Sequence, residues 1–131
     1  MCRADAFPAL VKGFMPFLGI ELISWEVDRI ELTLDVTERL VNRSGILHGG
    51  VFASLIDLAG CGAGVWREDG EPIPVTVLSQ TVRFIDQIRE GPLTVIGRRS
   101  GGGKRIYSAE VEIRASDGRL LAVGNGTFRT D

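Results

Sequence analysis

The sequence has few cysteines, no excess of basic charge and no long apolar run. Among its 131 residues only Cys2 and Cys61 carry thiols, one beside the start of the chain and the other inside an apolar segment. This placement does not suggest a disulfide framework, so we expect a reducing compartment. The 15 basic residues stand against 17 acidic ones, which excludes an overall basic field for nucleic acid or an anionic membrane. Any anion-binding site must therefore be local.

No stretch has the length and continuity of a membrane span. Residues 1–23 lack a continuous apolar core followed by a small-residue cleavage site, and residues 42–66 are too rich in glycine. We therefore expect a cytoplasmic protein with no membrane or nucleic-acid partner. The sequence has no internal repeat or linker, and its length suits a single domain over residues 1–131.

Alternation of apolar and polar residues predicts six strands. The clearest is Arg29–Val36, in which every second residue is apolar, as in a half-buried strand. The other five are expected at Leu18–Val27, Val75–Ile85, Leu93–Arg99, Ile106–Ala115 and Leu120–Arg129. A tight turn at Ser116-Asp117-Gly118 separates the last two.

Two segments have helical character. Residues 4–15 carry apolar side chains at helical spacing and predict a short helix that ends near Pro16. Gly50–Gly64 is too long for an ordinary strand, and apolar residues surround it nearly all round, so we expect an enclosed helix. Its last three glycines cost helix stability and indicate close packing against a neighbour. The element order predicts an α+β fold in which one antiparallel sheet curls round one buried helix.

One carboxylate, Asp57, interrupts the apolar segment from Val51 to Trp66. A buried carboxylate needs partners, water or a function that compensates for its desolvation. Helical spacing places Asp57 on one face with Ser54 and Cys61. The functional interpretation makes Asp57 a catalytic group, whereas the structural one has backbone or hydroxyl groups satisfy it. A thiol nucleophile at Cys61 has no support in the spacing, since buried cysteines commonly only pack.

The expected helix start at Gly49-Gly50 is a candidate anion site. The first N–H groups of a helix lack intrahelical partners and carry partial positive charge, which suits an anion or a developing oxyanion. His48 directly precedes these donors, and Asn42 can contribute a further amide. The alternative is an ordinary helix start with a loop histidine.

A basic turn occupies residues 97–105, GRRSGGGKR. Four cations, Arg98, Arg99, Lys104 and Arg105, flank three consecutive glycines. The turn is either a solvated hairpin or a site that grips phosphates through charge and hydrogen-bond donors together.

The pattern N-x-x-G-x-x-H-G-G at residues 42–50, followed by an apolar helix with Asp57, resembles the hotdog-fold acyl-CoA thioesterases of the phenylacetate-pathway (PaaI-like) type. The ending DGRLLAVGNGTFR resembles the same family's last strand. The resemblance implies a sheet wrapped round a central helix, paired into dimers and usually into tetramers. It also implies an acyl-CoA substrate, active sites between subunits, and no metal or organic cofactor.

Roles for individual residues follow from this resemblance. Gly49 N–H would polarise the thioester carbonyl, with Asn42 and His48 orienting nearby groups. Asp57 would act as a general base or as a nucleophile, and both routes stay open. A hydroxyl near the start of the third strand, Thr76 with Ser79 as its competitor, would help to hold the water. The four cations of the basic turn would bind the phosphates of CoA.

Two other functions compete with hydrolysis. A non-catalytic acyl-CoA-binding hotdog module would not need a carboxylate at Asp57. A hotdog dehydratase or hydratase would need a histidine and an acid placed to remove a proton and a hydroxyl, and the positions of His48 and Asp57 fit hydrolysis better.

Overall fold

The computed structural model describes residues 12–67 and 73–130, and they form a six-stranded antiparallel sheet with a long helix packed on one face. The sheet order is β1-β2-β4-β5-β6-β3. The helices are α1, Phe14–Phe17, and α2, Gly49–Ala63, with a 3-10 turn at Glu38–Leu40. The strands are β1, Glu21–Glu26; β2, Arg29–Val36; β3, Val75–Phe84; β4, Gly91–Gly102; β5, Ile106–Ala115; and β6, Leu120–Thr130. The predicted α+β architecture is confirmed.

Most predicted boundaries lie within a few residues of the observed ones. β2 and β5 match the prediction, and α2 begins and ends one residue early. Of the helix predicted at 4–15, residues 4–11 lie outside the described part of the chain, and the described part holds only the single turn α1. β1 begins three residues later than predicted because Leu18 and Gly19 donate to carbonyls of α1 and close that turn.

The core lies between the inner face of the sheet and α2. Alternate residues of β2, β4 and β5 point inward and are fully or almost fully buried, among them Ile30, Leu32, Leu34, Leu93, Val95, Ala109 and Ile113. α2 contacts every strand of the sheet. Burial of this apolar surface supplies the main stabilising free energy of the fold.

The last turns of α2 lie very close to the sheet, as their glycines predict. A Cβ at Gly60 would come within 2.2 Å of the Phe128 ring, and one at Gly64 within 2.1 Å of the Tyr107 ring. On the strand side, a Cβ at Gly97 would lie 2.5 Å from the carbonyl oxygen of Ala59. At Gly97 the strand therefore meets the helix backbone directly, while at Gly60 and Gly64 aromatic rings from the sheet fill the space that a helix side chain would need.

Buried aromatic side chains form hydrogen bonds to carbonyl groups at the same end of the helix. Trp25 Nε1 donates to the Gly62 carbonyl over 2.8 Å. The Tyr107 hydroxyl lies 3.1 Å from the Gly60 carbonyl oxygen and 2.9 Å from that of Cys61. The Tyr107 hydroxyl thus bonds to carbonyl groups of the last helical turn, and Trp25 adds a side-chain donor to the Gly62 carbonyl, which also accepts from the backbone N–H groups of Gly64 and Val65.

β1 and β3 are the two edges of the sheet. β3 carries a bulge, because its pairing with β6 passes from Val77 to Ser79 and leaves Leu78 as an extra residue. The bulge changes the alternation, so that Val77 and Gln80 are half-buried while Leu78 and Ser79 are exposed. It therefore selects which side chains of β3 reach the helix.

No helix in the described ranges is long and apolar enough to cross a membrane.

Candidate active site

The start of α2 holds one backbone donor without a partner. His48 is the N-cap, and its Nδ1 accepts from Gly50 N–H over 2.8 Å. The His48 carbonyl accepts from Val51 N–H over 2.9 Å. Within residues 12–67 and 73–130, Gly49 N–H has no hydrogen-bond partner. Because Nδ1 accepts, the imidazole is the neutral tautomer with its proton on Nε2. His48 thus orders the first turn and leaves Gly49 N–H free for a ligand.

Asn42 organises the loop that precedes the helix. Its Oδ1 accepts from Ser44 N–H at 2.9 Å and from Ile46 N–H at 3.4 Å. Its backbone N–H donates to the Ile46 carbonyl over 2.8 Å. The loop therefore folds back on Asn42, while the Nδ2 donors of this side chain make no bond within the described residues. The structure brings Asn42, His48 and Gly49 together at one end of α2.

Asp57 is half-buried two turns into α2, and Cys61 lies beside it. Cys61 Sγ is 3.5 Å from Asp57 Oδ1. Burial raises the pKa of Asp57, and the hydrogen bond from Cys61 partly opposes that rise. Burial, together with the nearby Asp57 charge, raises the pKa of the Cys61 thiol. Cys61 therefore stays protonated and donates to Asp57, which agrees with the expectation that it is not a nucleophile.

Gly49 and Asp57 are too far apart in one chain to act on the same carbon atom. They lie eight residues apart on one helix, which at ~1.5 Å per residue separates them by about 12 Å along the axis. An oxyanion donor and the group that activates the nucleophile must both lie about 3 Å from the reacting centre. A single chain therefore presents two separate halves of the predicted site.

The third strand presents an amide to the helix at the place where a hydroxyl was expected. Thr76 and Ser79 are both exposed on β3. Gln80 is half-buried, and its Nε2 donates to the Ala53 carbonyl of α2 over 2.9 Å. Of these three β3 side chains, Gln80 is therefore the one bonded to the helix that carries Asp57.

The basic turn lies at the opposite end of α2 from Gly49. It joins β4 to β5 next to Tyr107, whose hydroxyl contacts the last turns of the helix. Arg98 is paired with Glu112 at 3.6 Å. Arg99 lies over the Tyr107 ring at 5.3 Å and donates to the Gly103 carbonyl. Lys104 and Arg105 are exposed, and no ion pair engages their side chains within the described residues. The two pairs of cations are therefore not equivalent.

A family model matches most of this chain. It is described as the thioesterase superfamily, and the match covers residues 44–122. This chain belongs to the thioesterase superfamily. The matched range runs from the loop before α2 into β6 and includes Gly49 and Asp57.

Relatives of this thioesterase share much of its length. A proposed esterase of Saccharolobus solfataricus is 34% identical over 112 residues, which are 86% of this chain and 73% of that protein. A proposed esterase of Haemophilus influenzae is 31% identical over 112 residues, with 85% and 80% covered. These relatives agree with a hydrolase of the esterase type.

Solved structures confirm the hotdog fold. The crystal structure of a thioesterase from Haemophilus influenzae superposes with a TM-score of 0.87 at 26% identity, over all of this chain and 92% of that one. The E. coli PaaI protein, from the phenylacetic acid degradation operon, gives a TM-score of 0.85 at 22% identity, over 98% and 91%. At that identity the likeness to PaaI shows the fold alone.

Two residues of this thioesterase, Arg89 and Phe84, contact the start of α2 or the loop before it, and the local sequence pattern did not predict these contacts. Arg89 donates to the Ser44 carbonyl over 3.0 Å and holds the loop of Asn42 in place. The Phe84 ring packs edge-on against Phe52 with centroids 5.9 Å apart, yet 59% of the residue is exposed. It also lies beside Gly49. Both contacts depend on tertiary structure, so local pattern could not have revealed them.

A surface depression lies away from the helix start and Asp57. It holds about 290 Å³ on the outer face of the sheet, between charged side chains that include Arg83, Arg98 and Glu110. α2 covers the other face, so this depression is not part of the candidate site. Within the described ranges, no group of three His, Cys, Asp or Glu side chains is placed to hold a metal ion.

Proposed function

We propose that this thioesterase hydrolyses acyl-CoA to a free acid and CoA, at sites formed between two copies of the chain. The observation that carries the proposal is the unpartnered Gly49 N–H about 12 Å along the helix axis from the half-buried Asp57. Two helices side by side in a dimer would set Gly49 of one chain against Asp57 of the other. The edge strand β3 offers a place for such pairing, because its outer side has no strand partner within the described residues.

The chemistry divides between the two halves. Gly49 N–H donates to the thioester oxygen and stabilises the negative charge that develops there. In the base route, Asp57 takes one proton from a water whose oxygen attacks the carbonyl carbon. The C–S bond then breaks, and the departing thiolate takes the proton from Asp57. The raised pKa of Asp57 favours this route, since it makes the carboxylate a stronger base.

The nucleophilic route uses the same groups. A carboxylate oxygen of Asp57 attacks the carbonyl carbon, CoA leaves as the thiolate, and water hydrolyses the mixed anhydride. Label found in the protein after a single turnover in ¹⁸O-labelled water would identify the nucleophilic route. In the base route the label enters only the product acid, whereas attack of water on the Asp57 side of the anhydride puts label into the protein.

The cations of the basic turn supply phosphate contacts for CoA in this proposal. The turn lies about 20 Å from Gly49 along the α2 axis, and the pantetheine arm of CoA is an extended chain suited to such a distance. The exposed Lys104 and Arg105 are the better placed of the two pairs, because Arg98 and Arg99 already have partners. We further propose PaaI-like, cytoplasmic homodimers or homotetramers with no cofactor.

Release of free thiol tests the activity. Wild-type protein mixed with several acyl-CoA esters and a colorimetric thiol reagent should release CoA, and Asp57→Asn should lower kcat on the order of a hundredfold or more. Tight acyl-CoA binding without thiol release would instead identify a non-catalytic binding module. Near-normal turnover by Asp57→Asn would exclude Asp57 from the mechanism.

The melting temperature of Asp57→Asn, compared with that of wild type, is the control for folding. Since burial raises the pKa of Asp57 above its unfolded value, folding favours the neutral form. Stability is therefore lost as the pH rises from the unfolded value through the raised pKa. Asp57→Asn has no charge to bury. We therefore expect it to melt at or above the wild-type temperature at pH 8 and to lose that advantage in acid.

A further inference from the structure

Gln80 reaches α2 because of the bulge in β3. With Leu78 as the extra residue, Val77 and Gln80 both face the helix and Ser79 does not. The strand alternation without a bulge would have placed Ser79 inward and Gln80 outward. The structure therefore presents a long polar side chain to the helix from a strand whose other inward residues are valines.

The orientation of the Gln80 amide is fixed by its partner. The Ala53 carbonyl can only accept, so the group 2.9 Å from it must be the NH₂ of Gln80. The other end of the amide, Oε1, is buried and has no hydrogen-bond partner within the described residues. A buried acceptor left in this way costs free energy, so it needs a donor from a ligand or a water.

This acceptor lies next to the helical turn that Asp57 occupies. Ala53 precedes Asp57 by one turn, and both are half-buried on the side of α2 that other elements leave partly open. Side chains of a helix lean toward its N-terminus, so the Asp57 carboxylate lies over the turn of Ala53. Gln80 docks on the carbonyl of that same turn. The unfilled acceptor thus belongs to a side chain docked on the helical turn over which the Asp57 carboxylate lies.

We propose that Gln80 Oε1 holds the hydrolytic water for Asp57, an inference that rests on the proposed function. A water that attacks an acyl carbon needs two acceptors, one for each O–H bond, so that a lone pair points at the carbon. Asp57 accepts the proton that will transfer, and Gln80 Oε1 accepts the one that stays on oxygen. The water oxygen then bonds to the carbonyl carbon, and the C–S electron pair leaves with the thiol sulfur. Gln80 is therefore the water-positioning residue, in the role that the family resemblance implied for Thr76 or Ser79.

Gln80→Met tests the assignment, because it keeps the length of the side chain and removes the acceptor. We expect kcat for an acyl-CoA ester to fall roughly ten- to a hundredfold, as for other losses of positioning, with KM changed less than about twofold. The loss should be the same at every pH, since Gln80 is not among the causes of the Asp57 pKa shift. Thr81→Val is the matched control, because Thr81 is the next residue on β3 and lies exposed on the other face.

Gln80→Glu separates this role from a purely structural one. It keeps an oxygen acceptor but places a carboxyl group against the Ala53 carbonyl, so we expect it to be less stable than Gln80→Met and yet to retain a higher kcat. If kcat instead follows the melting temperature across the two variants, Gln80 only supports the helix. Unchanged kcat in Gln80→Met, or a loss confined to Thr76→Val, overturns the assignment of Gln80 alone. A wild-type protein that releases no thiol overturns the proposed function itself, and the water assignment with it.

Discussion

At the scale of single residues, the bond between Cys61 and Asp57 sets how the candidate base responds to pH. The thiol donates to one carboxylate oxygen and favours the ionised form, while burial favours the neutral form. These are the two causes of the Asp57 pKa shift within the described residues, and no charged side chain from a strand adds to them. By lowering the Asp57 pKa, the thiol therefore lowers the pH at which activity begins to fall in acid.

Cys61→Ala should move that limb to higher pH. Loss of the donor removes the one influence that lowers the Asp57 pKa, so the pKa rises further and the carboxylate ionises later. The measurement is kcat/KM against pH, in which the acid limb reports the free enzyme's essential base. On the alkaline plateau we expect kcat within a few-fold of wild type.

Cys61→Ser is the control for this shift. Its hydroxyl donates in place of the thiol, so the acid limb should return toward the wild-type position even if packing suffers. A limb that stays in place in Cys61→Ala, with melting temperature and plateau activity also unchanged, would mean that the contact has no electrostatic effect.

Sequence reasoning could propose the candidate residues whose placement is local. Asn42, His48 and Gly49 lie together because a few residues of loop and helix start place them, and Asp57 stood out as a charge in an apolar run. Gln80 could not be found in this way. The bulge that turns it inward depends on how β3 pairs with β6, and alternation along one strand does not record it.

At the scale of elements, the fold depends on α2 lying flat on the sheet. The sequence predicted the length of the helix and its close packing, since both follow from composition and periodicity. It could not predict that β4 must also lack a side chain at the point where the helix crosses it. At Gly97 the neighbour is the backbone oxygen of Ala59, which no side-chain rotation can move.

Gly97→Ala should therefore destabilise the protein by about 1–3 kcal/mol, as for other overpacked cores. The added Cβ would lie 2.5 Å from that oxygen and would push the helix off the sheet. Gly101→Ala on the same strand is the matched control, because no atom lies within 4 Å of its Cβ; we expect a change within about 0.5 kcal/mol. Denaturant unfolding of both variants measures the difference, and equal midpoints would contradict the packing argument.

The second prediction at the scale of elements concerns the hairpin between β4 and β5. Lys104→Ala/Arg105→Ala should raise KM for a CoA ester several-fold, more at low salt than at high, since an exposed charge-assisted contact is worth about 1 kcal/mol. Arg98→Ala/Arg99→Ala should have the smaller effect, because those side chains are engaged with Glu112 and Tyr107. kcat should hardly change in either.

An acyl-N-acetylcysteamine ester is the control substrate, since it has no phosphate. Neither double variant should alter its KM. Equal KM values for the CoA ester in wild type and both variants at low salt would make this turn a solvated hairpin, and the phosphate contacts would then lie elsewhere.

At the scale of the whole molecule, the separation of Gly49 from Asp57 makes the proposed site depend on a second chain. Asn42→Ala disrupts the loop that leads to Gly49, and Asp57→Asn removes the base, so each variant alone should be inactive. Unfolded together in equal amounts and refolded, they should recover about a quarter of wild-type activity, because half of the dimers are mixed and each mixed dimer has one intact site of two. No recovery in verified mixed dimers would mean that each site is built within one chain.

The two edges of the sheet differ in a way that limits how far the chains can associate. β3 has ten residues and an exposed leucine at its bulge, whereas β1 has only six residues, a bulge of its own, and a glutamate at each end. Two-fold pairing of β3 with its copy would use both long edges at once and leave β1 at either end of the joined sheet. A short, bulged strand flanked by negative charge is a poor template for a further strand. In the proposed dimer, the same asymmetry would therefore favour a closed pair over open-ended growth into fibrils.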